Sequence, residues 1–187
     1  GNDTFDVASG QLSYLDTIDG GAGNDTIELD ATAAVTDVDF QNVSNTEYIT
    51  VDSANAGVTL GAYASTAGIT KITGISGTAN TINAAAMNTG LTIVASVVSA
   101  TDTLTGGTGA DTFVFSGTAG LQAADILTGT SGADVIQLDN SAAAFTGTID
   151  FDTVATLTNI TVKDNDGGDA TTAQAVGLTL SAITETT

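Results

Sequence analysis

The sequence predicts an all-β protein, a parallel β-helix solenoid of short strands, with β-sandwich-like repeats as the alternative. Three observations carry this. Short apolar or β-branched runs recur with Gly, Asn, Asp, Ser or Thr between them, a glycine-and-aspartate turn recurs with a strand directly behind it, and no window sustains a helical period. Identical turns stacked on one edge are what a solenoid provides, because each coil repeats the path of its neighbour and its Thr and Asn positions form ladders.

The expected strands are, in order, Thr26 to Leu29, Tyr48 to Val51, Val58 to Leu60, Ile69 to Ile72, Leu91 to Val94, Phe113 to Phe115 and Val135 to Leu138. The turn appears as Asp16-Thr-Ile-Asp-Gly20-Gly21-Ala-Gly23-Asn-Asp25-Thr-Ile27, as Asp102-Thr-Leu-Thr-Gly106-Gly107-Thr-Gly109-Ala-Asp111-Thr-Phe113, and as Asp125-Ile-Leu-Thr-Gly129-Thr-Ser-Gly132-Ala-Asp134-Val-Ile136. A shortened copy opens the chain as Gly1-Asn2-Asp3-Thr4-Phe5. Within pairs the copies lie 22 positions apart (Gly1 to Gly23) or 23 (Gly109 to Gly132), and the pairs lie 108 or 109 apart. A longer module is therefore repeated, residues 1–108 forming a first copy that starts inside a turn and 109–187 a shorter second copy. The two read as a segment of a longer array. An extra loop in the second copy, Asp164 to Asp169, is read as solvated. Residues 53 to 101 hold no carboxylate and a single charge, Lys71, which suggests small stacked coils without metal, or a small sandwich.

Composition narrows the chemistry. The 187 residues carry 22 acidic and 2 basic side chains, a net charge of −20, yet are 42% hydrophobic, enough to bury a core. Such a chain repels nucleic acid and anionic membrane and attracts cations. Nineteen of the 22 acids are Asp, a residue that favours turns over helix or strand interiors. With no His, Cys or Arg, the chain lacks a Ser-His-Asp triad, a zinc site of the usual kind, disulfides and phosphate clamps. A carboxylate-pair glycosidase remains chemically open, but there is no Trp platform for a sugar. The longest apolar run, Leu91 to Ala100, is half the roughly 20 residues of a membrane helix, and no secretory signal peptide is visible. The expectation is a protein without membrane insertion and without enzymatic activity.

In a Gly-Gly-x-Gly-x-Asp turn the glycines permit positive φ and let carbonyls point inward, while the Asp adds an anionic oxygen. Hard oxygens converging from two adjacent turns suit Ca²⁺, which takes about 6 to 8 of them at roughly 2.3 to 2.6 Å. The apolar residue two places after each Asp (Ile27, Phe113, Ile136) then starts a strand and points into the core. Ordinary Asx capping of the turn is the plainer reading of the same aspartates.

These turns resemble the Gly-Gly-x-Gly-x-Asp-x-apolar-x nonapeptide of the RTX (repeats-in-toxin) family of secreted calcium-binding proteins. The surrounding module, with Phe40-x-x-Val43-x-Asn45-x-Glu47-x-Ile49, is similar to repeats of RTX-type bacterial S-layer and large cell-surface proteins. The resemblance implies a parallel β-roll with calcium between successive turns. It also implies export to the bacterial cell surface by type I secretion and folding on external calcium. By position it implies Asp25, Asp111 and Asp134 as carboxylate ligands and Asp16, Asp102 and Asp125 as donors from the preceding stretch. Gly20, Gly21, Gly23, Gly106, Gly107, Gly109, Gly129 and Gly132 would bring carbonyls, and Asp3 belongs to a turn whose first half is missing. Two features depart from the pattern: paired turns are further apart than the two nonapeptides of an uninterrupted roll, and Thr130 replaces a turn glycine. The function these features imply is a structural, self-assembling repeat segment of an S-layer or surface filament, with copies of itself as partners. The alternatives are the stalk or ligand-binding region of an RTX adhesin and the calcium-binding tail of a secreted hydrolase.

Overall fold

The structure is a computed structural model and describes residues 1–52, 57–74, 78–95, 100–116, 121, 125–139, 154–155 and 159–163. Much of the second module, including the Asp164 to Asp169 loop, lies outside the described residues. The described strands, in chain order, are β1 (Thr4–Val7), β2 (Ile18–Asp19), β3 (Thr26–Leu29), β4 (Val43–Ser44), β5 (Tyr48–Val51), β6 (Val58–Thr59), β7 (Lys71–Thr73), β8 (Thr81–Asn83), β9 (Thr92–Val94), β10 (Thr103–Thr105), β11 (Thr112–Ser116), β12 (Ile126–Thr128), β13 (Val135–Asp139), β14 (Val154–Ala155) and β15 (Asn159–Lys163).

Every pairing among them is parallel. The odd-numbered strands from β1 to β15 form one eight-stranded sheet, and β6, β8, β10, β12 and β14 form a second of five, with β2 and β4 paired separately. The chain thus alternates between two sheets and advances one strand per coil, which makes a β-solenoid; a sandwich of antiparallel repeats is ruled out. Thr4 pairs with Thr26 and Thr112 with Val135, steps of 22 and 23 residues. The turn spacing in the sequence is therefore the length of one coil. Through the carboxylate-free stretch β6 to β9 keep the same two-sheet path.

Alternation sets the core. In the large sheet Ile27, Ile49, Ile72, Ile93, Phe113 and Ile136 stand in one register row, and all six are completely buried. In the small sheet Val58, Ile82, Leu104 and Leu127 make the equivalent row. Both rows belong to one apolar cluster, and each aliphatic side chain removed from water contributes about 1.5 to 3 kcal/mol.

Among the described residues a 3-10 turn at Asp37–Phe40 and one short α-helix, α1 (Ala62–Ala67), depart from the all-strand expectation. At six residues α1 is under two turns, too short for a 3.6-residue period to register in sequence. Its first turn is held from the coil before: Asp37 Oδ1 accepts the amides of Gly61 (2.7 Å) and Ala64 (3.0 Å), and Oδ2 that of Tyr63 (3.2 Å). Gly68 ends it in the left-handed conformation at φ 103°.

Candidate metal centre: the stacked glycine and aspartate corners

The residue before each of the first seven strands of the large sheet occupies one corner of the coil. Along the stack this corner reads Asp3, Asp25, Glu47, Thr70, Leu91, Asp111, Asp134. Its acidic side chains reach back by one coil. The amide of Asp3 donates to Asp25 Oδ1 (2.6 Å), that of Asp25 to Glu47 Oε2 (2.9 Å), that of Leu91 to Asp111 Oδ1 (2.8 Å) and that of Asp111 to Asp134 Oδ1 (2.9 Å). A carboxylate that accepts a backbone amide makes a charge-assisted bond, and here each such bond joins two coils.

Only one oxygen of each aspartate is used. Asp25, Asp111 and Asp134 are almost fully buried, and the Oδ2 of each has no hydrogen-bond partner. A buried anionic oxygen without a donor is expensive, since native interiors satisfy nearly all such groups. The electrostatics agree. Burial pushes the Asp111 carboxyl up to about 6 against the pull of the Leu91 amide, with the Asp134 charge adding to the rise. Burial also raises Asp134, opposed by the Asp111 amide.

The glycines make the space beside these oxygens. An added Cβ at Gly20 would lie 2.7 Å from Asp25 Oδ2 and collide with the carbonyl oxygen of Asn45, and at Gly106 it would collide with Asp111 Oδ2. At Gly107 it would come within 2.7 Å of the Met87 carbonyl oxygen. Gly23 presses against the backbone of Gly1, Gly109 against that of Gly90 and Gly132 against that of Gly109, so turn backbones from neighbouring coils meet without side chains between them. Gly21, Gly23 and Gly132 have φ of 81°, 141° and 124°. Thr130 adopts φ 64° in place of a glycine, and its hydroxyl donates to the Gly106 carbonyl at 2.9 Å.

The structure does not gather every sequence-proposed residue at this corner. Asp102 and Asp125 precede β10 and β12, while Gly106 and Gly129 follow those strands, roughly 13 Å away at 3.3 Å per residue. They build a second, opposite corner, where the amide of Asn80 donates to Asp102 Oδ1 (2.7 Å) and that of Asp102 to Asp125 Oδ1 (2.8 Å). Asp16 is exposed and caps its own loop, accepting the amide and hydroxyl of Ser13 at 2.9 and 2.8 Å. Asp3 is also exposed and enters the ladder through its amide.

Three participants were not proposed as site residues from sequence, although Asn45 and Glu47 belong to the module motif around Phe40 to Ile49. Glu47 continues the carboxylate ladder in a turn without glycine. Asn45 supplies the left-handed residue of that turn at φ 50°, as Asn tolerates best after Gly, and its Nδ2 donates to Asp19 Oδ1 at 2.7 Å. That bond, with the Gly21 amide, lowers the Asp19 pKa. Asn80 is buried where the next coil has Asp102. The one signal for all three was their spacing of about one coil from a motif residue.

Among the described residues no three acidic side chains come together as a metal cluster. An ion at the first corner would draw one carboxylate oxygen from each of one or two coils and the rest from backbone carbonyls. The orphaned oxygens and the glycine-lined space suit a hard cation with many oxygen ligands, which is the preference of Ca²⁺. The model of the RTX calcium-binding nonapeptide repeat (4 copies) matches residues 13–31, 99–115 and 119–142. The chain carries RTX-type calcium-binding repeats. The matched RTX segments contain all three aspartates with an orphaned oxygen, Asp25, Asp111 and Asp134. No significant match was found among curated proteins or solved structures.

Proposed function

We propose that this RTX repeat region is a calcium-locked structural segment of a secreted bacterial cell-surface protein, of the S-layer or filament kind, that assembles with copies of itself and catalyses no reaction. The observation that carries the reading is the row of buried aspartates, each with one oxygen tied to the preceding coil and one without a partner. Bound calcium would neutralise these oxygens and join adjacent turns. The chain's own residues do the rest: Asp25, Asp111 and Asp134 present the charge, the turn glycines keep side chains out, and the isoleucine row holds the coils in register.

The net charge of −20 supports an extracellular, cation-rich setting, because self-repulsion loosens the coils until cations bind and binding then adds to folding free energy. The absence of His, Cys and Arg supports a structural role, since it removes the usual acid–base and nucleophilic groups. Among the described residues no helix is long and apolar enough to cross a membrane. Electron microscopy of the purified chain tests the assembly. Sheets or filaments should form on addition of calcium and dissolve in chelator; a monodisperse monomer at every calcium and protein concentration would contradict it.

A further inference from the structure

Between the two groups of RTX turns lies a stretch that keeps the coil path and dispenses with the carboxylates. No Asp or Glu occurs from residue 53 to residue 101, yet β6 to β9 pair in register with coils on both sides. At the first corner the places of Asp25 and Asp111 are taken by Thr70 and Leu91, and Leu91 is buried as part of the apolar core. At the second corner Asn80 stands in the row of Asp102 and Asp125. Asn80 is completely buried, and its Nδ2 donates to Asp102 Oδ1 at 3.1 Å and to the Thr78 carbonyl at 3.4 Å. An added Cβ at Gly74 would lie 2.6 Å from Asn80 Oδ1, so the packing of a turn glycine against a buried Asx side chain is repeated here with an amide. An amide carries its own donors and meets a carboxylate without a cation. Ile69, Ile72, Ile82, Met87, Leu91 and Ile93, all at most 1% exposed, supply apolar burial in the same coils.

We infer that residues 57–74 and 78–95 form a keystone of the solenoid that has no carboxylate calcium ligands of its own and is the last part to lose its order as calcium is withdrawn from the coils around it. The inference rests on reading the flanking turns as calcium sites. The device divides the response: outer coils open and close with external calcium around a centre held by leucine, isoleucine and an amide.

Hydrogen exchange followed by mass spectrometry on the full chain, at a series of free calcium concentrations set by a chelator, tests this. Peptides within 58–73 and 81–94 should lose protection at lower free calcium than peptides within 18–29, 103–116 and 126–137, giving two separated midpoints. A single midpoint shared by all peptides, or earlier loss in the centre, would overturn the keystone and leave the calcium sites standing. Protection indifferent to calcium everywhere would overturn both. In Asn80→Asp the central midpoint should move to that of the flanks; an unchanged midpoint would show that the amide is not what frees the centre from calcium.

Discussion

The side chain that most exposes the design is Asp111, buried beside Asp134 with one oxygen accepting an amide and the other unpartnered. Its folded pKa of about 6 lies above the ordinary value of 3.8, so the folded state without metal binds more protons than the unfolded state between those values. Stability from this group is therefore present at low pH and lost as pH rises through about 6. We expect the thermal midpoint in chelator to rise as pH falls from about 7 to about 5, and the midpoint in saturating calcium to fall over the same range because protons compete with the ion. Thermal unfolding at several pH values checks both slopes. Replacing Asp111 by Asn should shrink the gain from calcium by about 1 to 3 kcal/mol and raise, or leave unchanged, the midpoint in chelator, since it removes a buried charge whose second oxygen has no partner while keeping an oxygen for the Leu91 amide. A loss of equal size in calcium and in chelator would mark Asp111 as a packing residue only.

At the level of the element, turns and strands carry separate tasks and respond differently to substitution. Gly132 combines φ 124° with backbone contact against Gly109, so Gly132→Ala should destabilise the turn by about 1 to 3 kcal/mol and weaken calcium binding with it. Phe113, fully buried in the isoleucine row, sits in the strand behind the turn. Phe113→Ala should cost about 3 to 5 kcal/mol with calcium or without it, which chemical unfolding in both conditions would show. The strands were legible because their residues alternate and the turns between them are punctuated by glycine: the expected Tyr48 to Val51 and Thr26 to Leu29 coincide with β5 and β3. The short strands β8, β10 and β12 were missed as elements because each offers a single inward residue, Ile82, Leu104 or Leu127. The similarly short β6, β7 and β9 have a second buried Leu or Ile close by in the sequence, Leu60, Ile69 or Leu91. The carboxylates at the first corner were legible from the glycine motif. Glu47 and Asn45 were legible as part of the module motif but not as site residues, because they do the work of the glycine turn without a glycine, and only the coil length places Glu47 in the corner row.

On the scale of the whole molecule, two features make opposite demands: an apolar row that runs through the described coils, and acidic corners that flank the carboxylate-free stretch. The apolar row stabilises stacking in any solvent that drives burial. The acidic corners, within a chain of net charge −20, oppose stacking until something neutralises them. General screening by salt would help every exposed charge alike, whereas an oxygen-lined corner with buried aspartates distinguishes cations by size and ease of dehydration. Ca²⁺ and Mg²⁺ carry the same charge and differ in both respects. The most direct measurement is therefore the thermal midpoint of the full chain in calcium and in magnesium at equal ionic strength. We expect calcium at about 100 times its Kd to add about 2.7 kcal/mol for each occupied site, with magnesium adding little. Equal stabilisation by the two ions, or by sodium chloride at the same ionic strength, would contradict the account.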